Sequence, residues 1–222
     1  RTRGKFSVPM VIRIPYGGGI NALEHHSESP EAYFGHTPGL KVVIPSTPYD
    51  AKGMLIAAIE DPDPVIFMEP KRIYRAVKQE VPEEKYTIPL DKAKVIQAGE
   101  QITIIAYGAM IREAQKAIAL AKQKGYSVEL IDLRSIWPID RETISRSVRK
   151  TGRALVVTEA PQSYGPAAEL ISIINEEAFL SLEAPPSRLT GFDTVIPLPL
   201  GEKHYMLSPE RIAHEIDRLI KY

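Results

Sequence analysis

Short apolar runs of strand type alternate with helical segments at close spacing from residue 94 to the end of the chain. The first clear pair is Ile102–Ala106, a continuous run of β-branched and small residues, followed by a helical pattern over residues 109–124. Val128–Asp132 begins the next repeat, and Asp140 is the predicted N-cap of its helix. Further strands and helices are predicted at residues 154–159, 167–177, 188–191 and 208–220. Such alternation requires right-handed crossovers, so the sequence predicts an α/β fold with a mostly parallel sheet.

The first third of the chain carries elements of the same kind, less regularly spaced. Residues 9–14, 40–45 and 65–69 read as buried strands, and the pattern over residues 50–60 predicts an amphipathic helix. Residues 70–89 are charged, contain prolines and lack periodicity. This composition is typical of a linker that runs over the surface between two domains.

Composition excludes several classes of protein. The chain has 222 residues with 44% hydrophobic side chains, enough for one large domain or two ordinary ones. Lys plus Arg and Asp plus Glu both number 28, and this zero net charge gives no reason to expect nucleic acid or a membrane as partner. The absence of cysteine excludes disulfides, thiol nucleophiles and thiolate metal sites. The chain opens on Arg1 rather than Met, so we expect it to be part of a longer polypeptide.

Residues 16–38 join two predicted strands and carry most of the candidate functional side chains. A glycine triplet at residues 17–19 opens the segment. The titratable candidates that follow are His25, His26, Glu28, Glu31 and His36. Open α/β sheets place their ligand sites at strand ends, so this segment is the first candidate for a functional site.

On the residues alone, three interpretations of this segment stay open. The glycine triplet permits a close backbone approach to a phosphate or cofactor, or it forms a plain turn. His25 and His26 precede a short helix that Ser29 is predicted to cap; they either exchange a proton in catalysis or are satisfied polar residues of a loop. The histidines, with Glu28 and Glu31, are also metal-ligand types, although their spacing matches no HExxH-like pattern.

Two further regions place polar residues at the ends of elements. The Glu-Asp-Pro-Asp turn at residues 60–63 could bind a cation through carbonyls and a carboxylate, or be a solvated turn. Arg134 and Glu159 each follow or end a predicted strand; Arg134 could meet an anionic ligand or form a salt-bridged loop. Because no obvious catalytic cluster follows residue 94, we predict that the second half serves association.

Six longer motifs, spread over the whole chain, carry a family resemblance. They are VIRIPYGGG at 11–19, HSESPEA at 26–32, HTPGLKVVIPS at 36–46, DPVIFMEPK at 63–71, DLRSIWPID at 132–140 and EAP at 159–161. Together they resemble the β subunit of the decarboxylase component of 2-oxo acid dehydrogenase complexes, in the transketolase-like group of thiamin diphosphate enzymes. The resemblance implies the later part of a pyrimidine-binding domain over residues 1–80, a linker over 81–95 and a transketolase C-terminal α/β domain over 96–222.

The resemblance also implies roles for particular residues. His26 matches the catalytic histidine of the family, selected over His25 by the Ser-x-Ser-Pro-Glu that follows it. Glu28 stands where the family commonly has glutamine. A potassium ion is implied near the turn after the helix of residues 50–60. Its ligands would come from Ala58, Asp61 and Asp63.

The implied activity is the oxidative decarboxylation of a 2-oxo acid, with transfer of the acyl group to the lipoyl arm of an acyltransferase core. Thiamin diphosphate is the implied cofactor, with magnesium held mainly by a partner α subunit in an α2β2 assembly. The part of the family subunit upstream of this chain carries the glutamate that activates the coenzyme. The implied location is the cytoplasm, or the mitochondrial matrix in a eukaryote. The alternatives are a non-catalytic assembly module and a single-chain transketolase-like enzyme.

Overall fold

The computed structural model describes residues 3–222, which form two β-sheets and the helices that cover them. The strands in this part of the chain are β1 (Val11–Tyr16), β2 (Lys41–Val43), β3 (Val65–Pro70), β4 (Lys94–Gln97), β5 (Ile102–Ala106), β6 (Val128–Asp132), β7 (Ser135–Trp137), β8 (Ala154–Pro161) and β9 (Ser187–Gly191). The α-helices are α1 (Glu31–Gly35), α2 (Pro48–Glu60), α3 (Met110–Lys122), α4 (Arg141–Thr151), α5 (Pro166–Ala178), α6 (Pro199–Tyr205) and α7 (Pro209–Ile220). Short 3-10 turns lie at Glu24–Ser27, Lys71–Ile73 and Phe179–Ser181.

Both sheets are parallel except for one edge strand each. The first has the order β1-β3-β2-β7, in which only β7 runs antiparallel to its neighbour. The second has the order β4-β6-β5-β8-β9, in which only β4 is antiparallel. The predicted α/β fold with a mostly parallel sheet is therefore confirmed. The antiparallel strands β4 and β7 and the short helix α6 were not predicted, because each is brief and carries little periodicity.

Local sequence signals account for the best-predicted helix ends. Asp140 caps α4, since its Oδ1 accepts from the backbone N–H of Thr143 at 3.1 Å. Gly152 ends the same helix in the left-handed conformation at φ 68°. Ser208 caps α7 by accepting from the N–H of Arg211 at 3.3 Å, and Pro209 takes the first helical position.

Two predictions near the first sheet are wrong in detail. The strand predicted as buried over residues 9–14 begins at Val11 and is half exposed, because among the described residues β1 lies at the sheet edge with β3 as its neighbour. Ser29 does not cap α1: the helix begins one residue late, at Glu31, so Pro30 takes the cap position. The Ser29 hydroxyl is instead buried, without a hydrogen-bond partner among the described residues.

The two sheets share a hydrophobic core. Tyr16, Val42 and Ile66 from the first sheet pack in one cluster with Ile105 and Val156 from the second. Strand β7 hydrogen-bonds to β2, although it lies far along the chain in the second half. This packing fixes the strand ends of the first sheet against those of the second. The domain boundaries near residues 80 and 96 stay predictions.

The predicted linker is irregular but partly packed. After the 3-10 turn at Lys71–Ile73, residues 74–93 contain no helix or strand, and Ile88 and Leu90 are buried against α2. The ring of Tyr86 stacks on Tyr49 with centroids 4.5 Å apart. In residues 3–222, no helix is both long enough and apolar enough to cross a bilayer.

Candidate functional site

Buried polar side chains meet where strands of the two sheets end. Tyr16 ends β1, Tyr107 follows β5 and Glu159 lies near the end of β8, each at most 2% exposed. Glu31, the first residue of α1, is fully buried and accepts a hydrogen bond from the Tyr107 hydroxyl at 2.7 Å. The part of the chain after residue 94, for which no catalytic cluster was predicted, therefore does contribute to the candidate site. Glu159 and Tyr107 contact the segment that carries the histidines.

The glycine triplet forms a backbone nest that is filled by carboxylates. Gly17, Gly19 and Asn21 adopt left-handed conformations, with φ of 87°, 80° and 55°. Alternation of this kind turns successive N–H groups toward one side and favours an anion there. The N–H of Gly18 donates to Glu159 Oε2 at 3.1 Å, and the N–H groups of Gly19 and Asn21 donate to the two oxygens of Glu202, each at 2.7 Å. The structure thus gives these donors internal partners and lends no support to a phosphate in the nest.

His26 lies on the 3-10 turn that follows this nest. Its ring is exposed, and Nδ1 lies 3.0 Å from the carbonyl oxygen of Leu23. Because a carbonyl can only accept, Nδ1 carries the proton, and Nε2 of the neutral ring has a free lone pair. The ammonium of Lys71 donates to the carbonyl of His26, and the N–H of Gly17 donates to the carbonyl of Glu28 at 3.0 Å. The turn that presents the ring is therefore fixed at several points.

The other predicted histidines are placed differently. His25 is exposed on the same 3-10 turn as His26, whereas His36 lies beyond α1 and lines a separate cavity of about 330 Å³ with Trp137 and Tyr164. Over residues 3–222, no group of three His, Asp or Glu side chains is arranged to hold a metal ion. The metal-site interpretation of the histidine segment is therefore not supported.

Burial and like charge raise the pKa of carboxyl groups in the cluster. The pKa of Glu159 rises from 4.5 to about 7, chiefly through burial and then through the charge of Glu31; the Gly18 N–H and Arg72 oppose the rise. Burial also raises the pKa of Glu31. Near neutral pH the cluster therefore keeps a proton that the same carboxyls would release in water.

A pH dependence of stability follows from Glu159. Between pH 4.5 and about 7 the folded state retains a proton on Glu159 that the unfolded state has released, so stability falls as the pH rises through this window. Replacing Glu159 by Gln removes that slope. We expect the free energy of unfolding of the variant, relative to the parent, to rise by on the order of 2–3 kcal/mol from pH 4.5 to 7.5. Urea unfolding at a series of pH values measures this free energy, with the exposed Glu80→Gln as control. If the free energy of unfolding changed with pH in the same way in the parent and in Glu159→Gln, the raised pKa of Glu159 would be contradicted.

Arg134 forms a buried ion pair rather than an open anion site. Its Nη2 lies 2.5 Å from Oδ1 of Asp50 in α2, and both side chains are at most 10% exposed. Asp132 lies nearby, and burial is the main cause that raises its pKa to about 7. The salt-bridged alternative is confirmed for Arg134. The pair ties α2 to the β6–β7 connection.

The turn predicted to hold a cation is occupied by a lysine. The ammonium of Lys41 lies 2.6 Å from Asp61 Oδ2 and 3.4 Å from Asp63 Oδ2. The N–H of Asp61 points to the carbonyl of Ala58 at 3.4 Å. The three residues named for the ion therefore do lie together at the α2–β3 turn. The Lys41 ammonium already forms ion pairs with the carboxylates of Asp61 and Asp63.

Sequence reasoning missed three residues that shape the site. Glu202 lies on the unpredicted helix α6, Tyr107 follows a strand end, and Lys71 falls in the predicted linker. The signal that could have found Tyr107 is its position directly after β5, where parallel sheets place functional groups. Lys71 directly follows β3, so the same signal applied to it, whereas Glu202 carries no such local signal.

Two family models match successive parts of the chain. Residues 1–77 match the family described as Transketolase, pyrimidine binding domain, and residues 91–212 match Transketolase, C-terminal domain. Among solved structures, a split-gene transketolase described as an inactive beta4 tetramer superposes with a TM-score of 0.77 over 99% of this chain and 70% of that one, at 22% identity. A mutant transketolase of Pichia stipitis gives 0.67 over 97% of this chain and 30% of that one, at 15% identity. Fold and matches define a transketolase-type α/β protein.

Relatives of higher sequence identity than these solved structures identify the family within this class. The pyruvate dehydrogenase E1 component subunit beta of Acholeplasma laidlawii is 62% identical over 100% of this chain and 68% of the relative. The corresponding protein of Bacillus subtilis strain 168 is 46% identical with the same coverage. The mitochondrial 2-oxoisovalerate dehydrogenase subunit beta of Dictyostelium discoideum is 52% identical over 93% of this chain and 56% of the relative.

The chain belongs to the family of decarboxylase-component β subunits of 2-oxo acid dehydrogenase complexes, the family of these pyruvate and 2-oxoisovalerate dehydrogenase subunits. This confirms the resemblance carried by the six motifs. The family is thiamin diphosphate-dependent, and its members are oxidoreductase components that act with an α subunit.

Proposed function

We propose that this chain, assembled with an α subunit as α2β2, decarboxylates a 2-oxo acid and passes the acyl group to the lipoyl arm of an acyltransferase. The observation that supports the role of this chain is His26, an exposed ring whose Nδ1 is bonded to the Leu23 carbonyl and whose Nε2 has no hydrogen-bond partner among residues 3–222. An exposed imidazole with one committed nitrogen suits proton exchange with a group that arrives from solvent.

The described residues do not form a complete coenzyme site. The N–H groups of the glycine nest donate to Glu159 and Glu202, which excludes the nest as a diphosphate cradle in this conformation. No three-ligand cluster for a divalent ion occurs in residues 3–222. In this proposal the diphosphate and magnesium are held mainly by the α subunit, as the family resemblance implies. Bound thiamin diphosphate would supply the electron sink for loss of carbon dioxide.

His26 acts in the transfer to the lipoyl disulfide. In this step the acyl carbon would supply the electron pair of a new C–S bond to one sulfur, the S–S bond would break with its electron pair on the other sulfur, and the bond between the acyl carbon and the coenzyme would then break to release the acyl group. His26, protonated at Nε2, gives that sulfur a proton, so a thiol forms and the ring becomes neutral. The Nδ1–H bond to the Leu23 carbonyl is kept in the protonated and in the neutral ring, so Nε2 is the nitrogen that gives up the proton. Because the ring is exposed, solvent restores the proton.

A monovalent cation is proposed for the α2–β3 turn. The carbonyl of Ala58 and the carboxylates of Asp61 and Asp63 supply oxygen ligands of the kind that potassium takes. Lys41 already neutralises Asp61, so an added ion would be held mainly by carbonyls and Asp63. We expect potassium to bind weakly here.

One experiment tests both proposals. The complete α and β chains are reconstituted, and acyl transfer to an isolated lipoyl domain is followed with pyruvate, branched-chain 2-oxo acids and other 2-oxo acids, in potassium or choline salt. Transfer from at least one substrate supports the function, and faster transfer in potassium that Asp63→Ala reduces supports the ion site. Assembly without any turnover would instead support the non-catalytic assembly module. Equal rates of acyl transfer in potassium and in choline salt would contradict the proposed potassium site.

A further inference from the structure

The loop that carries His26 is closed at its ends and anchored to the second half of the chain. The Gly17 N–H to Glu28 carbonyl bond brings the two ends of residues 17–28 together. A compact surface loop of this length with close ends is an Ω-loop. Its order depends on a few anchors, because it contains one short 3-10 turn and no strand.

Glu202 is the strongest anchor of the first part of this loop. Its side chain is 2% exposed, and its two carboxylate oxygens accept separately from the N–H groups of Gly19 and Asn21, each at 2.7 Å. Bonds from backbone N–H groups to a charged, buried acceptor are about twice as strong as neutral ones. They also hold Asn21 at φ 55°, a conformation that costs a non-glycine residue free energy.

Asn21, which Glu202 anchors, lies two positions before Leu23, whose carbonyl orients the His26 ring. Leu23 follows Asn21 closely in the chain, and its carbonyl accepts from both the backbone N–H and the Nδ1–H of His26, at 3.4 and 3.0 Å. Leu23 itself is 58% exposed, so burial of its side chain contributes little to its position. The position of the Leu23 carbonyl therefore depends on the backbone bonds around it.

We propose that Glu202 is a positioning residue for His26: through Gly19 and Asn21 it fixes the Leu23 carbonyl that sets the tautomer and direction of the ring. This inference rests on the proposed role of His26 and assigns the second half of the chain a part in acyl transfer beyond association. Lys71 holds the other side of the turn by its bond to the His26 carbonyl.

Glu202→Gln is the test, because an amide keeps the shape but turns one acceptor into a donor that faces an N–H. In the complete α and β assembly we expect acyl transfer to a lipoyl domain to fall about tenfold, and more than decarboxylation falls, since small misplacement of a catalytic group is costly. The pH profile of transfer should change as well, because the tautomer of His26 is no longer fixed. Exposed Glu210→Gln, from the same part of the chain, should behave like the parent.

A double-variant comparison separates positioning from a purely structural effect. If Glu202 acts through His26, then adding Glu202→Gln to His26→Ala should cause no further loss, and amide exchange over residues 17–28 should quicken in Glu202→Gln alone. Additive losses, or faster exchange with unchanged transfer, would overturn the inference. Normal transfer in His26→Ala alone would instead overturn the proposed role of His26, so the two failures are distinguished.

Discussion

His26→Ala is expected to lower acyl transfer to the lipoyl domain by about 100-fold or more in the complete α and β assembly, in line with the usual contribution of a general acid. The reason is local: Nδ1 is committed to the Leu23 carbonyl, which leaves Nε2 to protonate the departing sulfur. Decarboxylation, measured with a small-molecule oxidant in place of the lipoyl domain, should fall less, because that step forms no thiol.

The neighbouring histidine provides a matched control. His25 is exposed on the same 3-10 turn, so His25→Ala changes the same element without removing the ring held by Leu23. We expect its transfer rate to stay within about threefold of the parent, as for a surface change outside the reacting groups. Equal losses in both variants would show that the turn matters rather than the His26 ring.

Asp50→Asn is expected to produce the largest loss of stability, about 3 kcal/mol in the free energy of unfolding, because breaking a buried ion pair leaves an uncompensated charge. Asp50 and Arg134 are 3% and 10% exposed in their side chains, with Nη2 and Oδ1 2.5 Å apart. The Arg134 Nε is buried without a hydrogen-bond partner among the described residues. The neighbouring Asp132 interacts with the guanidinium, but burial raises the pKa of its carboxyl to about 7, so it compensates the charge only in part near neutral pH. Denaturant unfolding of the chain measures the loss.

Two further variants show whether the buried charge is the cause. The exposed pair Arg146 and Glu142 lies 3.9 Å apart, so Glu142→Gln should change stability by less than about 0.5 kcal/mol. Replacing both buried partners, as Asp50→Leu with Arg134→Met, should recover part of the loss, since no unpaired charge remains. A double variant that is less stable than Asp50→Asn would contradict this explanation.

Elements with strong local signals were predictable from the sequence. The predicted bounds of β5 and β6 match the structure, and Asp140 marked the start of α4 as its N-cap. The edge strands were not, because β4 and β7 are three or four residues long and owe their pairing to distant partners. Their hydrogen bonds are tertiary, so no local pattern could predict them.

The candidate site was also only partly predictable from the sequence. The segment with His26 was identifiable from its polar residues at a strand end, and its family motif selected the ring. Its electrostatics were not identifiable, because the carboxylates that fill the glycine nest come from Glu159 and Glu202, which lie 141 and 183 residues further along the chain than their partners. Only the folding of the second half against the first brings them together.

The central claim is that His26 faces the reacting groups with Nε2 free. Its most direct test is a structure of the complete α and β assembly with thiamin diphosphate bound. We predict that the His26 ring lines the passage by which the lipoyl arm reaches the coenzyme, with Nδ1 still bonded to the Leu23 carbonyl. A ring turned away from that passage, or separated from the coenzyme by intervening protein, would contradict the account.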